Sequence, residues 1–177
     1  IEHLPYAGVL PDGKATTLIG GVGLQYFLGN YGPSAVVIID PSAEQAFRIV
    51  ELPTRRVHFA VDPIRSQFAY IFTEDGTLHQ LNVLTGEIVN SVKLTQPYSM
   101  DGSWADPRPR IAVAGDEIIV SDPLASKLVR VNAISLEKAG EIPVEGTPFN
   151  VIAVGGTGTA HDGEDEHDHE EESHNHG

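Results

Sequence analysis

The sequence contains no cysteine. That excludes disulfides and thiolate metal sites and leaves imidazole and carboxylate as the strong metal ligands. It also fits an oxidising compartment, where stray thiols are avoided. Basic residues are scarce: 11 Lys and Arg stand against 25 Asp and Glu. With a formal net charge of −14 and no basic patch to neutralise phosphates, nucleic acid is not an expected partner. No run approaches the roughly 18 consecutive apolar residues of a membrane-spanning helix, so no membrane span is expected. No segment of useful length carries the 3.6-residue apolar period of a helix, which argues against an α/β fold.

What is present suffices for a domain with a real core: 177 residues, 41% hydrophobic and 20% charged. The first residue is Ile1, which points to a removed leader or a piece of a longer chain. The charge is unevenly placed. Eight acids and no Lys or Arg fall in residues 161–177, so residues 1–160 carry only −6 of the −14.

The body repeats. In its clearest unit, His58–Pro63, Phe68–Thr73, Leu78–Val83 and Ile88–Leu94 each read as a short strand. These runs are rich in β-branched and aromatic residues and are separated by Asp, Gly and Pro, as in Glu74-Asp75-Gly76 and Leu84-Thr85-Gly86. Upstream, 25–28, 35–40 and 47–50 match the second, third and fourth strands; downstream, 110–113, 117–120, 128–132 and 138–144 repeat all four. The third-strand ends Asp40, Asn82 and Asn132 lie 42 and 50 residues apart, a spacing that suits a propeller blade.

The expected fold is therefore all-β: a β-propeller portion of about three four-stranded antiparallel blades over residues 6–146, with one extra strand at 149–154. A β-sandwich is the alternative, but strand order and turn chemistry repeat together here. Three blades do not close a propeller, and open sheet edges invite aggregation. Residues 1–156 are accordingly expected to be the C-terminal portion of a propeller whose remainder lies in further sequence or a second chain. Residues 157–177 are expected to be a flexible tail, decoupled by Gly155-Gly156-Thr157-Gly158.

Five of the eight histidines fall in that tail: His161, His167, His169, His174 and His176. The pairs His167/His169 and His174/His176 are two apart, so in an extended segment both rings of a pair can turn toward one ion. Neighbouring carboxylates add oxygen ligands and attract the cation. A merely solvating acidic tail or a purification tag would explain this less well, since tags are usually uninterrupted histidine runs and this one is interleaved with acids. Zinc is the expected ion, although imidazole and carboxylate also bind copper and nickel. Ordering 17 residues costs on the order of 17–34 kcal/mol, whereas a structural zinc site in a small peptide supplies about 10–16, so one zinc fixes only part of the tail.

Three histidines lie in the body. His58 opens the first strand of its blade, near the mouth of a central channel, and is a candidate ligand. His79 sits in a third strand covered on both faces, where packing is the expected role. The setting of His3 depends on preceding sequence. No catalytic constellation stands out: there is no nucleophile elbow, and Gly20-Gly-Val-Gly23 lacks the dinucleotide fingerprint and its following helix. Asp101-Gly-Ser-Trp-Ala-Asp106 reads as a polar connection between blades.

A cysteine-free propeller with a His58-Phe-Ala-Val-Asp-Pro63 strand and a His/Asp-rich segment resembles the periplasmic zinc metallochaperones of the AztD type. The resemblance implies a non-enzymatic bacterial periplasmic protein that holds zinc and passes it to the substrate-binding protein of a zinc ABC transporter. His58 is the body position nominated as a ligand. The competing readings are a propeller hydrolase or quinone-dependent dehydrogenase using the channel, and an interaction propeller with a metal-buffering tail.

Overall fold

The computed structural model describes residues 18–20, 26–41 and 43–154, with the backbone alone at 18–20. Among the described residues, twelve strands form three four-stranded antiparallel sheets, each in chain order. The first holds β1 (Leu18–Gly20), β2 (Phe27–Tyr31), β3 (Ala35–Ile39) and β4 (Phe47–Glu51). The second holds β5 (Arg56–Val61), β6 (Phe68–Thr73), β7 (Thr77–Asn82) and β8 (Glu87–Lys93). The third holds β9 (Ile111–Ala114), β10 (Glu117–Asp122), β11 (Lys127–Asn132) and β12 (Lys138–Pro143), with one 3₁₀ turn at Pro123–Ala125. The first strands of successive sheets touch, β1 against β5 and β5 against β9, as blades arranged about a common axis require.

Side-chain alternation explains how the sheets stack. Along β6, Ala69 and Ile71 point to one face and pack with Leu28, Val36, Ile38 and Val50 of the first sheet. Tyr70 and Phe72 point to the other face and pack with Val113, Ile118, Val120 and Val129 of the third. A strand buried on both faces is mostly apolar, and in Phe68–Thr73 the polar atoms, the Tyr70 and Thr73 hydroxyls, are hydrogen-bonded. The fourth strands lie outermost and read as polar alternation, most clearly in Glu87–Lys93.

The turns repeat a chemical device. Asn82 Oδ1 accepts from the amides of Leu84 (3.0 Å) and Thr85 (3.3 Å), and Asn132 Oδ1 accepts from those of Ile134 (2.8 Å) and Ser135 (2.9 Å). These Asx turns end the third strands of the second and third sheets and reverse the chain into the fourth. Gly76 has φ +86°, and a Cβ there would meet the Thr95 carbonyl oxygen at 2.4 Å, so the β6–β7 hairpin admits no side chain.

A polar cluster links the second and third sheets. Asp62, fully buried, accepts from the Ile64 and Arg65 amides, both at 2.9 Å, and from Arg65 Nε at 2.8 Å. The Tyr70 hydroxyl lies 2.8 Å from Asp62 Oδ2 and 3.0 Å from the Ala133 carbonyl oxygen. Arg65 reaches on to Asp116 at 2.6 Å and to the Gly115 carbonyl at 2.7 Å.

The structure differs from the sequence reading in two places. The strand expected at 149–154 is not formed among the described residues. A β-rich run becomes a strand only when a neighbour completes its ladder, and no described segment pairs with it. The first sheet also gains a short opening strand, Leu18–Gly20, that was not read from the sequence.

Candidate functional site

His58 lies on β5, the first strand of the second sheet. The pairing of β5 with β6 skips a residue between Arg56 and His58, a bulge that places Val57 as the extra residue. Bulges re-aim side chains. Here Val57 and Ala60 pack toward the third sheet while Phe59 and Val61 pack toward the first. His58 reaches the third sheet: its Nδ1 accepts from the Ile111 amide, the first residue of β9, at 3.1 Å. The ring thus satisfies an edge amide of the neighbouring blade.

The environment disfavours a cation on this ring. Burial, with the Arg110 charge adding to it, pushes the His58 pKa down to about 4, so the ring is neutral at ordinary pH. With Nδ1 accepting, the neutral ring carries its proton on Nε2, so neither nitrogen offers a free lone pair to a metal. Arg110 would repel a dication as it repels a proton. No group of three or more His, Asp or Glu that could hold a metal occurs among the described residues. In this geometry His58 staples two blades together.

Arg110, unremarked in the sequence, is the neighbour that sets this electrostatics. Its own pKa is lowered, first by burial and then by Arg108, and its guanidinium carbon lies 5.4 Å from the Phe149 ring centroid. A pattern search for ligands passes over an arginine, and only the contact with Phe149 shows why it sits beside the strand. His79 behaves as expected of a packed residue. It is buried, with Nε2 3.0 Å from Thr73 Oγ1 and Nδ1 2.7 Å from Ser91 Oγ, and burial lowers its pKa. His3 and the tail residues His161, His167, His169, His174 and His176 lie outside the described residues.

The registers place several of these features at one end of the sheets. Arg56, opening β5, pairs with Thr73 at the close of β6; Ile111, opening β9, pairs with Val120. Pro143, closing β12, pairs with Lys127 beside the β10–β11 turn. The chain therefore leaves β12 at the end that bears His58 and passes Arg110 at Phe149. From there it runs on in sequence toward 161–177.

No family model matches the chain. It is 58% identical over 176 residues to the zinc chaperone AztD of Citrobacter koseri, covering 99% of this chain and 41% of that protein. The crystal structure of Citrobacter koseri AztD superposes with a TM-score of 0.80 at 60% identity, over 90% of this chain and 43% of that one. The apo form gives the same TM-score and identity over 89% and 43%. The WD40 domain of Toxoplasma gondii coronin shares the fold alone, with a TM-score of 0.53 at 15% identity over 67% of this chain and 30% of that one. WD40 repeats build propeller blades, in agreement with the three sheets seen here. Nearly the whole of this chain is thus AztD-like, similar in sequence and in fold to about two fifths of a zinc chaperone.

Proposed function

We propose that this chain is part of a periplasmic zinc metallochaperone, a non-enzymatic protein that takes up zinc on its 161–177 segment. From there it passes zinc to the substrate-binding protein of a zinc ABC transporter. Residues 1–156 serve as the propeller portion, completed by sequence or a chain beyond this one, and residues 157–177 as the metal-binding tail. The observation that carries the reading is the concentration of five histidines among 17 residues in a chain 58% identical to a protein named a zinc chaperone. His161, His167, His169, His174 and His176 are the proposed ligands. His58 does not join them, because its Nδ1 is engaged by the Ile111 amide and Arg110 stands beside it.

The tail chemistry suits cargo rather than a resident cofactor. Imidazole and carboxylate ligands, with no thiolate among them, hold zinc through neutral rings for which protons compete, so the ion remains transferable. The absence of cysteine supports an oxidising compartment. No described helix is long and apolar enough to cross a membrane.

The test is zinc transfer. Zinc-loaded full-length protein is mixed with the zinc-free substrate-binding protein, and the rate is compared with zinc loss to a chelator. Transfer faster than that spontaneous loss supports delivery. Transfer at the spontaneous rate, with or without residues 161–177, would show that the protein only buffers zinc.

A further inference from the structure

An unbroken run of polar groups crosses three strands of the second sheet. It starts at Asp75, in the turn between β6 and β7, whose Oδ1 lies 2.6 Å from Thr73 Oγ1 and whose Oδ2 lies 2.8 Å from Thr77 Oγ1. Thr73 is fully buried, and its Oγ1 lies 3.0 Å from His79 Nε2. His79 Nδ1 in turn lies 2.7 Å from Ser91 Oγ. The pairing registers produce the alignment. His79 stands opposite Ile71 of β6 and opposite Ser91 of β8, so its ring lies on the sheet face that also bears Thr73.

Proton counting gives the run a direction. Burial opposes ionisation of Asp75, but the hydrogen bonds from Thr73 and Thr77 outweigh it and hold the carboxyl below its usual range. An ionised carboxylate only accepts, so Thr73 gives its single hydroxyl proton to Asp75 in preference to the neutral Thr77 carbonyl at 3.2 Å. Thr73 Oγ1 then accepts from His79. Burial lowers the His79 pKa against the opposing charge of Asp75, so the ring is neutral at ordinary pH and carries its proton on Nε2. That leaves Nδ1 as an acceptor, and the Ser91 hydroxyl points its proton at it.

The two ends of the run differ in access. His79 is 4% exposed, whereas Ser91 is exposed on β8, the outermost strand of its sheet. The second sheet packs against the first on one face and the third on the other, so Ser91 is exposed with both neighbouring sheets in place. Lys93, two residues along β8 and so on the same face, donates to the Asp75 carbonyl and brings a positive charge to that face. A hydroxyl aimed at a base that is itself oriented by a further group is the arrangement of an activated nucleophile.

We propose that Ser91 is an acyl-acceptor site for activated carboxylic esters, with His79 as general base and with Thr73 and Asp75 as positioning residues for the ring. The Ser91 Oγ–acyl bond forms and the ester C–O bond breaks. The Ser91 proton moves to His79 Nδ1 and from there to the departing alkoxide or phenolate, which leaves as the alcohol or phenol. The product is a modified serine formed once per chain, and it is independent of zinc delivery.

The test treats the zinc-loaded full-length protein with p-nitrophenyl acetate and follows acetylation residue by residue by peptide mass mapping. Ser135, exposed and bonded to Glu137 instead of an imidazole, is the internal control. Ser91 is expected to acetylate at least about 100-fold faster than Ser135, with a rate that rises with pH as one group below neutrality loses its proton. His79→Gln removes both the rate advantage and that pH step. Thr73→Ser keeps the hydroxyl and retains both, whereas Thr73→Val loses most of the advantage. The Thr73 pair decides the matter if circular dichroism shows that His79→Gln does not fold. Acetylation of Ser91 no faster than that of Ser135, or equal rates in Thr73→Val and Thr73→Ser, would show that the run only ties strands together and would overturn the proposal. Zinc transfer is unaffected by either result.

Discussion

The amide of Ile111 donates to Nδ1 of His58 across 3.1 Å and joins the first strands of two adjacent sheets. Replacing His58 by Ala leaves that buried amide without its acceptor. The expected cost is about 1–3 kcal/mol, read as a lower urea midpoint at unchanged slope. The zinc count should not change. A lost zinc with intact stability would mean that the ring serves metal instead of the neighbouring blade.

Burial of the same ring makes the fold acid-sensitive. The His58 pKa is about 4 in the folded protein, below its usual value of about 6.5, because burial and Arg110 favour the neutral ring. The folded state therefore binds fewer protons than the unfolded one in this range. The contribution is present in full above about pH 6.5 and is lost as pH falls toward about 4. Its full size is roughly 3 kcal/mol. His58→Gln, which does not titrate, should show a shallower decline between those pH values. Parallel stability curves for the two proteins would contradict the assignment.

Asp62 offers a test of the link between the second and third sheets. Asp62→Ala removes the acceptor for Arg65 and for two amides, and leaves the Ala133 carbonyl as the acceptor for the buried Tyr70 hydroxyl. The loss should be about 3–5 kcal/mol, measured by chemical denaturation. A loss below about 1 kcal/mol would show that Arg65 and Tyr70 find other partners without cost.

Most of the blade pattern was legible because turn chemistry marks it. The strand expected at 68–73 is Phe68–Thr73, and the Asn82 and Asn132 turns fall where their spacing placed them. Leu18–Gly20 was missed because three residues hold no alternation to read. Residues 149–154 form no strand in this chain because a β-rich run reports propensity, whereas a strand needs a partner, and the partner strands expected for it lie outside this sequence. His58 was legible as a first-strand residue, but its contact was not. The bulge that turns it toward Ile111 arises from pairing with β6, which no local pattern records.

Zinc binding by the tail should weaken steeply from about pH 7 to about pH 5, because imidazole binds zinc only when neutral. With eight carboxylates in the same 17 residues, proton competition for the rings is expected to begin close to neutrality. A site dominated by carboxylates would stay loaded until roughly pH 4. Calorimetric titration of a 161–177 peptide at several pH values separates the two. An affinity flat from about pH 7 to 5.5 would exclude histidine as the main ligand.

The most direct measurement is the zinc count of the full-length protein and of a form lacking residues 161–177, by calorimetric titration with metal analysis at neutral pH. Circular dichroism on both forms serves as the fold control. The truncated form should lose zinc sites and keep its β signal. An unchanged zinc count would contradict the tail as the zinc-binding element.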